Sequence, residues 1–120
     1  GMPDAPVENI ILRNIEIRYP GGGNPHYAKV GLDELDSIPE LEKNYPEFSM
    51  FRELPAWGFY IRHAKGITME NVRLVCDRKD YRTAIVLDDV HGATLSGLKV
   101  TEPGGRKAPV FHNRSTDIKL

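Results

Sequence analysis

Cysteine is almost missing: the 120 residues contain one, Cys76. A single cysteine excludes an internal disulfide framework and, with no partner cysteine, makes a catalytic or metal role the lesser reading. At the end of a strand-like pattern, Cys76 reads as a small core or flank residue. An excess of charge of one sign is lacking too. Lys and Arg together number 16 and Asp and Glu 17, giving a net charge of −1. With no basic stripe, nucleic acid is not an expected partner. No apolar run approaches the roughly 20 residues that span a bilayer, so no membrane partner is expected. No secretory signal opens the chain. Gly1 before Met2 reads as a cloning remnant, with the native start expected at Met2 or further upstream. The length allows one domain at most.

What the sequence does contain is a repeat. In Gly66-Ile67-Thr68-Met69-Glu70-Asn71-Val72-Arg73-Leu74, a turn residue precedes two alternating apolar positions, and a second turn residue precedes two more. The same pattern starts at Asn9 (Ile10, Leu12, Asn14, Ile15, Ile17) and at Gly92 (Ala93, Leu95, Gly97, Leu98, Val100). Asp117, Ile118 and Leu120 begin a fourth copy. Alternation is strand periodicity. Gly, Asn and Asp enter the left-handed backbone region at least cost, and every turn position of the repeat is one of them.

Gly66 and Gly92 lie 26 residues apart (92 − 66), and Gly92 and Asp117 lie 25 apart (117 − 92). A fixed period of this size marks a stacked repeat. The expected fold is all-β: a right-handed parallel β-helix of about four coils, 3–19, 58–76, 84–101 and 108–120, each built from short strands and tight corners. Ile10, Ile67, Ala93 and Ile118 are expected in one inward column, and Leu12, Met69, Leu95 and Leu120 in another. A leucine-rich repeat is the runner-up, but its asparagine-bearing consensus is absent. A coil stack needs its ends covered, so self-association is expected, as a homo-oligomer formed through coil ends or by swapping a segment.

Residues 20–57 interrupt the repeat. Asn9 to Gly66 is 57 residues (66 − 9), against a period of 26. The insertion opens with Pro20-Gly21-Gly22-Gly23-Asn24-Pro25, which is neither helix nor strand. Ser37-Ile38-Pro39-Glu40 has the form of a helix capping box and predicts a short helix over 38–44. Tyr45, Phe48, Phe51, Trp57, Phe59 and Tyr60 follow closely. These rings either cover one flank of the coils or line a sugar-binding cleft, where flat rings with a polar edge suit sugar faces. Residues 77–83 are rich in charge and predict a solvated corner.

Counting by the period sets Arg62 beside Asp88 and His63 beside Asp89, with Asn113 and Arg114 following. This is either an outer-face charge ladder or a polar patch contacting polysaccharide. Candidate substrate-binding residues are therefore Trp57, Tyr60, Arg62, His63 and Asp88. Asp88-Asp89 invites a glycosidase reading, but strand neighbours point to opposite faces, so adjacency does not make a catalytic pair. His91, beside the turn residue Gly92, reads as exposed. His26 and His112 have no metal-ligand spacing, and Asp77 and Asp80 are separated by basic residues. No metal and no cofactor are expected.

The segments Val7-Glu8-Asn9-Ile10-Ile11-Leu12-Arg13-Asn14-Ile15-Glu16-Ile17, Tyr19-Pro20-Gly21-Gly22-Gly23, Tyr45-Pro46-Glu47 with Met50-Phe51, and Leu54-Pro55-Ala56-Trp57-Gly58-Phe59-Tyr60-Ile61-Arg62-His63 resemble the C-terminal coils of polygalacturonase-like glycoside hydrolases (family 28) of the Bacteroidetes type. The resemblance implies a pectic polysaccharide substrate, inverting hydrolysis, and a periplasmic or secreted location. The family's catalytic pattern is N-x-D, D-D, G-H-G and R-x-K on separate coils. This sequence has no N-x-D and no R-x-K. Val90-His91-Gly92 lacks the first glycine of G-H-G, and Asp88-Asp89 stands too close to His91. No catalytic residue carries over. The expectation is a glycosyl hydrolase-like chain without the catalytic motifs; the alternatives are a non-catalytic carbohydrate-binding module and a structural or assembly module.

Overall fold

A computed structural model describes residues 1–22, 54–105 and 108–120. Alternating apolar residues become six strands: β1 (Val7–Gly21), β2 (Ala56–Arg78), β3 (Thr83–Ser96), β4 (Lys99–Thr101), β5 (Val110–Asn113) and β6 (Thr116–Lys119). They form one parallel sheet in the order β1-β2-β3-β5, with β4 also pairing β2 and β6 pairing β3. The chain is all-β among the described residues, with no helix; the predicted helix over 38–44 lies outside them.

Single left-handed residues let such long strands change direction. Asn9, Asn14, Asn71 and Asp117 have φ between 53° and 57°, and Gly66, Gly92 and Gly97 between 65° and 85°. These are the seven turn positions of the repeat. Asn and Gly tolerate this region, where a Cβ otherwise crowds the following carbonyl. Asn71 Nδ2 donates to Asn14 Oδ1 at 2.9 Å, so this corner is also linked through its side chains.

The register stacks like on like. Ile10 pairs Ile67, Ile67 pairs Ala93, and Ala93 pairs Ile118. Leu12, Met69 and Leu95 form the next column, and Ile17, Leu74 and Val100 another. The core gathers on this face around Met69, Leu74, Ile85 and Leu87, all without exposure. Burying a side chain of this size contributes roughly 1.5–3 kcal/mol. Leu120 follows Lys119, whose partner is Thr94, and so reaches the end of the column of Leu95, but it is 73 % exposed.

Two boundaries differ from the sequence reading. β1 extends to Gly21 and β2 begins at Ala56, so Gly21 and Trp57, read from the sequence as part of the insertion, lie in strands. Residues 77–83 are not uniformly solvated. Lys79 is exposed, but Asp80 and Thr83 are buried. The Asp80 carboxylate accepts from Arg82 Nε and Nη2, each at 2.9 Å, and from the Arg82 backbone N at 3.0 Å. That local pairing lets a charge enter the interior.

Candidate functional site

The parallel register brings the polar residues of β2, β3 and β5 together. Arg62 pairs Asp88, and Asp88 pairs Asn113. Both faces of β3 are covered here: Ile85 and Leu87 face the main core, while Val86 and Asp88, on the other face, are also without exposure. A carboxylate this deep requires charged or hydrogen-bonding partners. Asp88 has them. Arg62 Nε lies 3.0 Å from Oδ2, Asn113 Nδ2 donates to Oδ1 at 3.0 Å, and Arg114 donates through Nε to Oδ1 (3.1 Å) and Nη2 to Oδ2 (3.0 Å). The Arg114 contact is the bidentate fork that planar guanidinium and carboxylate groups form best.

One residue on, the chain turns. His63, Asp89 and Arg114 have φ of 56°, 56° and 50°. They form a third left-handed corner, and its side chains interlock. His63 Nδ1 lies 2.6 Å from Asp89 Oδ2, His91 Nε2 lies 2.8 Å from Asp89 Oδ1, and His91 Nδ1 lies 2.8 Å from Thr116 Oγ1. With both rings neutral, the pattern is satisfied one way: His63 Nδ1–H and His91 Nε2–H donate to the carboxylate, and the Thr116 hydroxyl donates to His91 Nδ1. Hydrogen bonds from His63, then from His91, hold the Asp89 carboxyl below the usual carboxylate range.

The sequence candidates thus divide. Arg62 and Asp88 meet directly and His63 sits at the adjoining corner, but their side chains are 10 %, 0 % and 4 % exposed and turned to neighbouring strands. Tyr60 is half-buried and packs with Phe111 against Ala56 and Val86. Trp57 stands apart. Buried in the main core, it stacks edge-on against Tyr19 at 5.3 Å between ring centres, and its indole N–H donates to Glu102 Oε2 at 2.8 Å. Sequence reading took His91 as exposed and did not join it to Asp89, and it missed Thr116. The spacing of His91 and Thr116, 25 residues, matches the period and was the available signal.

Chemically, the cluster is suited to holding charge in place. A general acid needs a carboxyl raised toward neutral pH, whereas Asp89 is shifted the other way. Among the described residues, no group of three His, Cys, Asp or Glu side chains could hold a metal ion. Burial, with smaller contributions from Asp80 and Glu102, raises the pKa of the Cys76 thiol, which donates to the Arg78 carbonyl. Comparison with family models, curated proteins and solved structures finds no match to this chain.

Proposed function

We propose that the parallel sheet belongs to a right-handed parallel β-helix of about four coils, and that the chain is a non-catalytic scaffold portion of a polygalacturonase-like glycoside hydrolase acting on pectic polysaccharide. One observation carries the scaffold reading. The two carboxylates most suggestive of catalysis, Asp88 and Asp89, are both engaged between strands, one by Arg62, Asn113 and Arg114, the other by His63 and His91. Inverting hydrolysis needs one protonated and one ionised carboxyl on either side of a sugar, roughly 6.5–9.5 Å apart. Left-handed corners repeating at the same offset, with parallel strands in register, support the β-helix. The family and the substrate rest on the sequence resemblance.

The test is a reducing-end assay on polygalacturonic acid with the purified chain. No release above the buffer control is expected. Release that disappears in Asp88→Asn would overturn the scaffold reading.

A second reading, a non-catalytic contact with acidic polysaccharide, is favoured by one feature. The side chains of Arg114 and His91 are 43 % and 40 % exposed, although Asp88 and Asp89 hold their inner atoms. Calorimetric titration with trigalacturonate separates the two readings. Binding heat that is lost in Arg114→Ala supports the contact; absence of heat leaves the scaffold alone.

A further inference from the structure

The outer face of the sheet carries a chemically ordered run of side chains. His91 stands between Lys65 on β2 and Thr116 on β6, so strands flank it on both sides, yet its side chain is 40 % exposed. Nε2 of its ring lies 2.8 Å from Asp89 Oδ1, and Nδ1 lies 2.8 Å from Thr116 Oγ1. The other carboxylate oxygen, Asp89 Oδ2, lies 2.6 Å from Nδ1 of buried His63. Thr116 is exposed as well. Hydroxyl, imidazole and carboxylate thus follow one another at hydrogen-bond distance, with the hydroxyl and the imidazole open to solvent.

A hydroxyl is a weak nucleophile until an adjacent base takes its proton, and that base works best when a third group holds it in the right tautomer. Asp89 accepts from His91 Nε2–H, which leaves the Nδ1 lone pair to the Thr116 hydroxyl. His63 holds the carboxylate from the interior. The lowered pKa that makes Asp89 unfit as a general acid keeps it ionised, as an orienting carboxylate has to be.

We propose that Thr116, His91 and Asp89 form an acyl-transfer site for esters of short carboxylic acids, with Thr116 and His91 as catalytic residues and Asp89 as a positioning residue. Thr116 Oγ1 bonds to the acyl carbon as its proton passes to His91 Nδ1. The ester C–O bond breaks, and the departing alcohol takes that proton from His91. Water, deprotonated by His91 in turn, then cleaves the acyl-threonine to the free acid and restores the hydroxyl. With both catalytic side chains on an open face, the site grips no long acyl chain, and a short one suffices. The scaffold reading denies glycosidic cleavage by Asp88 and Asp89. This site acts on an ester bond, so its success or failure leaves the reducing-end assay unaffected.

The first probe is an alkyl fluorophosphonate, which traps an activated hydroxyl as a stable ester: the oxygen bonds to phosphorus and fluoride leaves. Peptide mass spectrometry should find the full chain labelled at Thr116 when folded and at least about tenfold more slowly in urea, where no base faces the hydroxyl. The second probe is p-nitrophenyl acetate. Thr116→Val keeps the side-chain shape without the hydroxyl, and it should lower nitrophenol release about tenfold or more, as should His91→Gln. Thr116→Ser should retain release. Thr116 is exposed, so its variants are expected to fold, and circular dichroism checks all of them. The positioning role of Asp89 has its own signature. In nitrogen NMR, neutral His91 should carry its proton on Nε2 in the native chain and lose that preference in Asp89→Asn. Any of three results overturns the proposal: Thr116 labelled no faster folded than unfolded, release from Thr116→Val equal to that from the native chain, or neutral native His91 protonated on Nδ1.

Discussion

Asp89 shows how one side chain ties layers together. Its carboxylate bridges imidazoles on β2 and β3, and His91 extends the link to β6. Because the folded-state pKa is depressed below the ordinary 3.8, the unfolded chain binds the proton first as pH falls. The stabilisation is fully present above that ordinary value and is lost as pH drops from there through the folded pKa. Urea midpoints measured between pH 6 and 2.5 should therefore fall more steeply for the native chain than for Asp89→Asn; parallel profiles would contradict the assignment. Cys76 gives a second residue-scale test. Its raised pKa and burial leave little thiolate, the reactive form. Alkylation by iodoacetamide at pH 8 should be at least tenfold slower in the folded chain than in urea. The sequence made the Arg62–Asp88 and His63–Asp89 pairings legible because a fixed period converts directly into neighbours. It concealed the corner they form. Arg114 is not a residue expected at positive φ, and here the His63 and Arg114 side chains lock the turn through Asp89 and Asp88.

At the scale of the element, the corners set the shape and the columns set the register. Gly66 and Gly92 have φ of 71° and 85°. Alanine at either should cost about 1–2 kcal/mol for the left-handed backbone alone. The two should also differ. A Cβ on Gly66 would meet Asn9 Oδ1 at 3.0 Å, whereas on Gly92 nothing comes closer than 3.7 Å. Gly66→Ala is thus expected to be the more destabilising in chemical denaturation. Equal losses would mean that Asn9 yields without cost. These corners were readable in the sequence because the constraint falls on one residue and only Gly, Asn and Asp meet it cheaply. Strand extent was not readable. β2 runs unbroken from Ala56 to Arg78, since a left-handed residue bends a strand without ending its ladder. Trp57 was assigned to the insertion for the same reason: an aromatic beside Gly58 carries no local sign of whether its neighbours are paired. Its burial depends on Tyr19 and Glu102, both distant in sequence.

For the whole molecule, an apolar face and a buried polar ladder together bind parallel strands that no short hairpin connects. The apolar columns supply most of the stabilisation. The polar cluster fixes which strands meet, because a buried ion pair contributes little net energy but penalises any arrangement that breaks it. The sequence could identify the ladder but not its burial. That depends on both faces of β3 being covered, and the alternation of Ile85, Val86, Leu87 and Asp88 does not reveal the second cover. The decisive measurement is the urea unfolding free energy of Asp88→Asn relative to the native chain. Removing the carboxylate takes away the buried charge that Arg62, only 10 % exposed, and Arg114 both face. The expected loss is about 3–5 kcal/mol, a large part of the roughly 5–15 kcal/mol that stabilises a domain. A loss below about 1 kcal/mol, the range of an exposed surface pair, would contradict the structural role of Asp88 and return this cluster to the status of a ligand-contact patch.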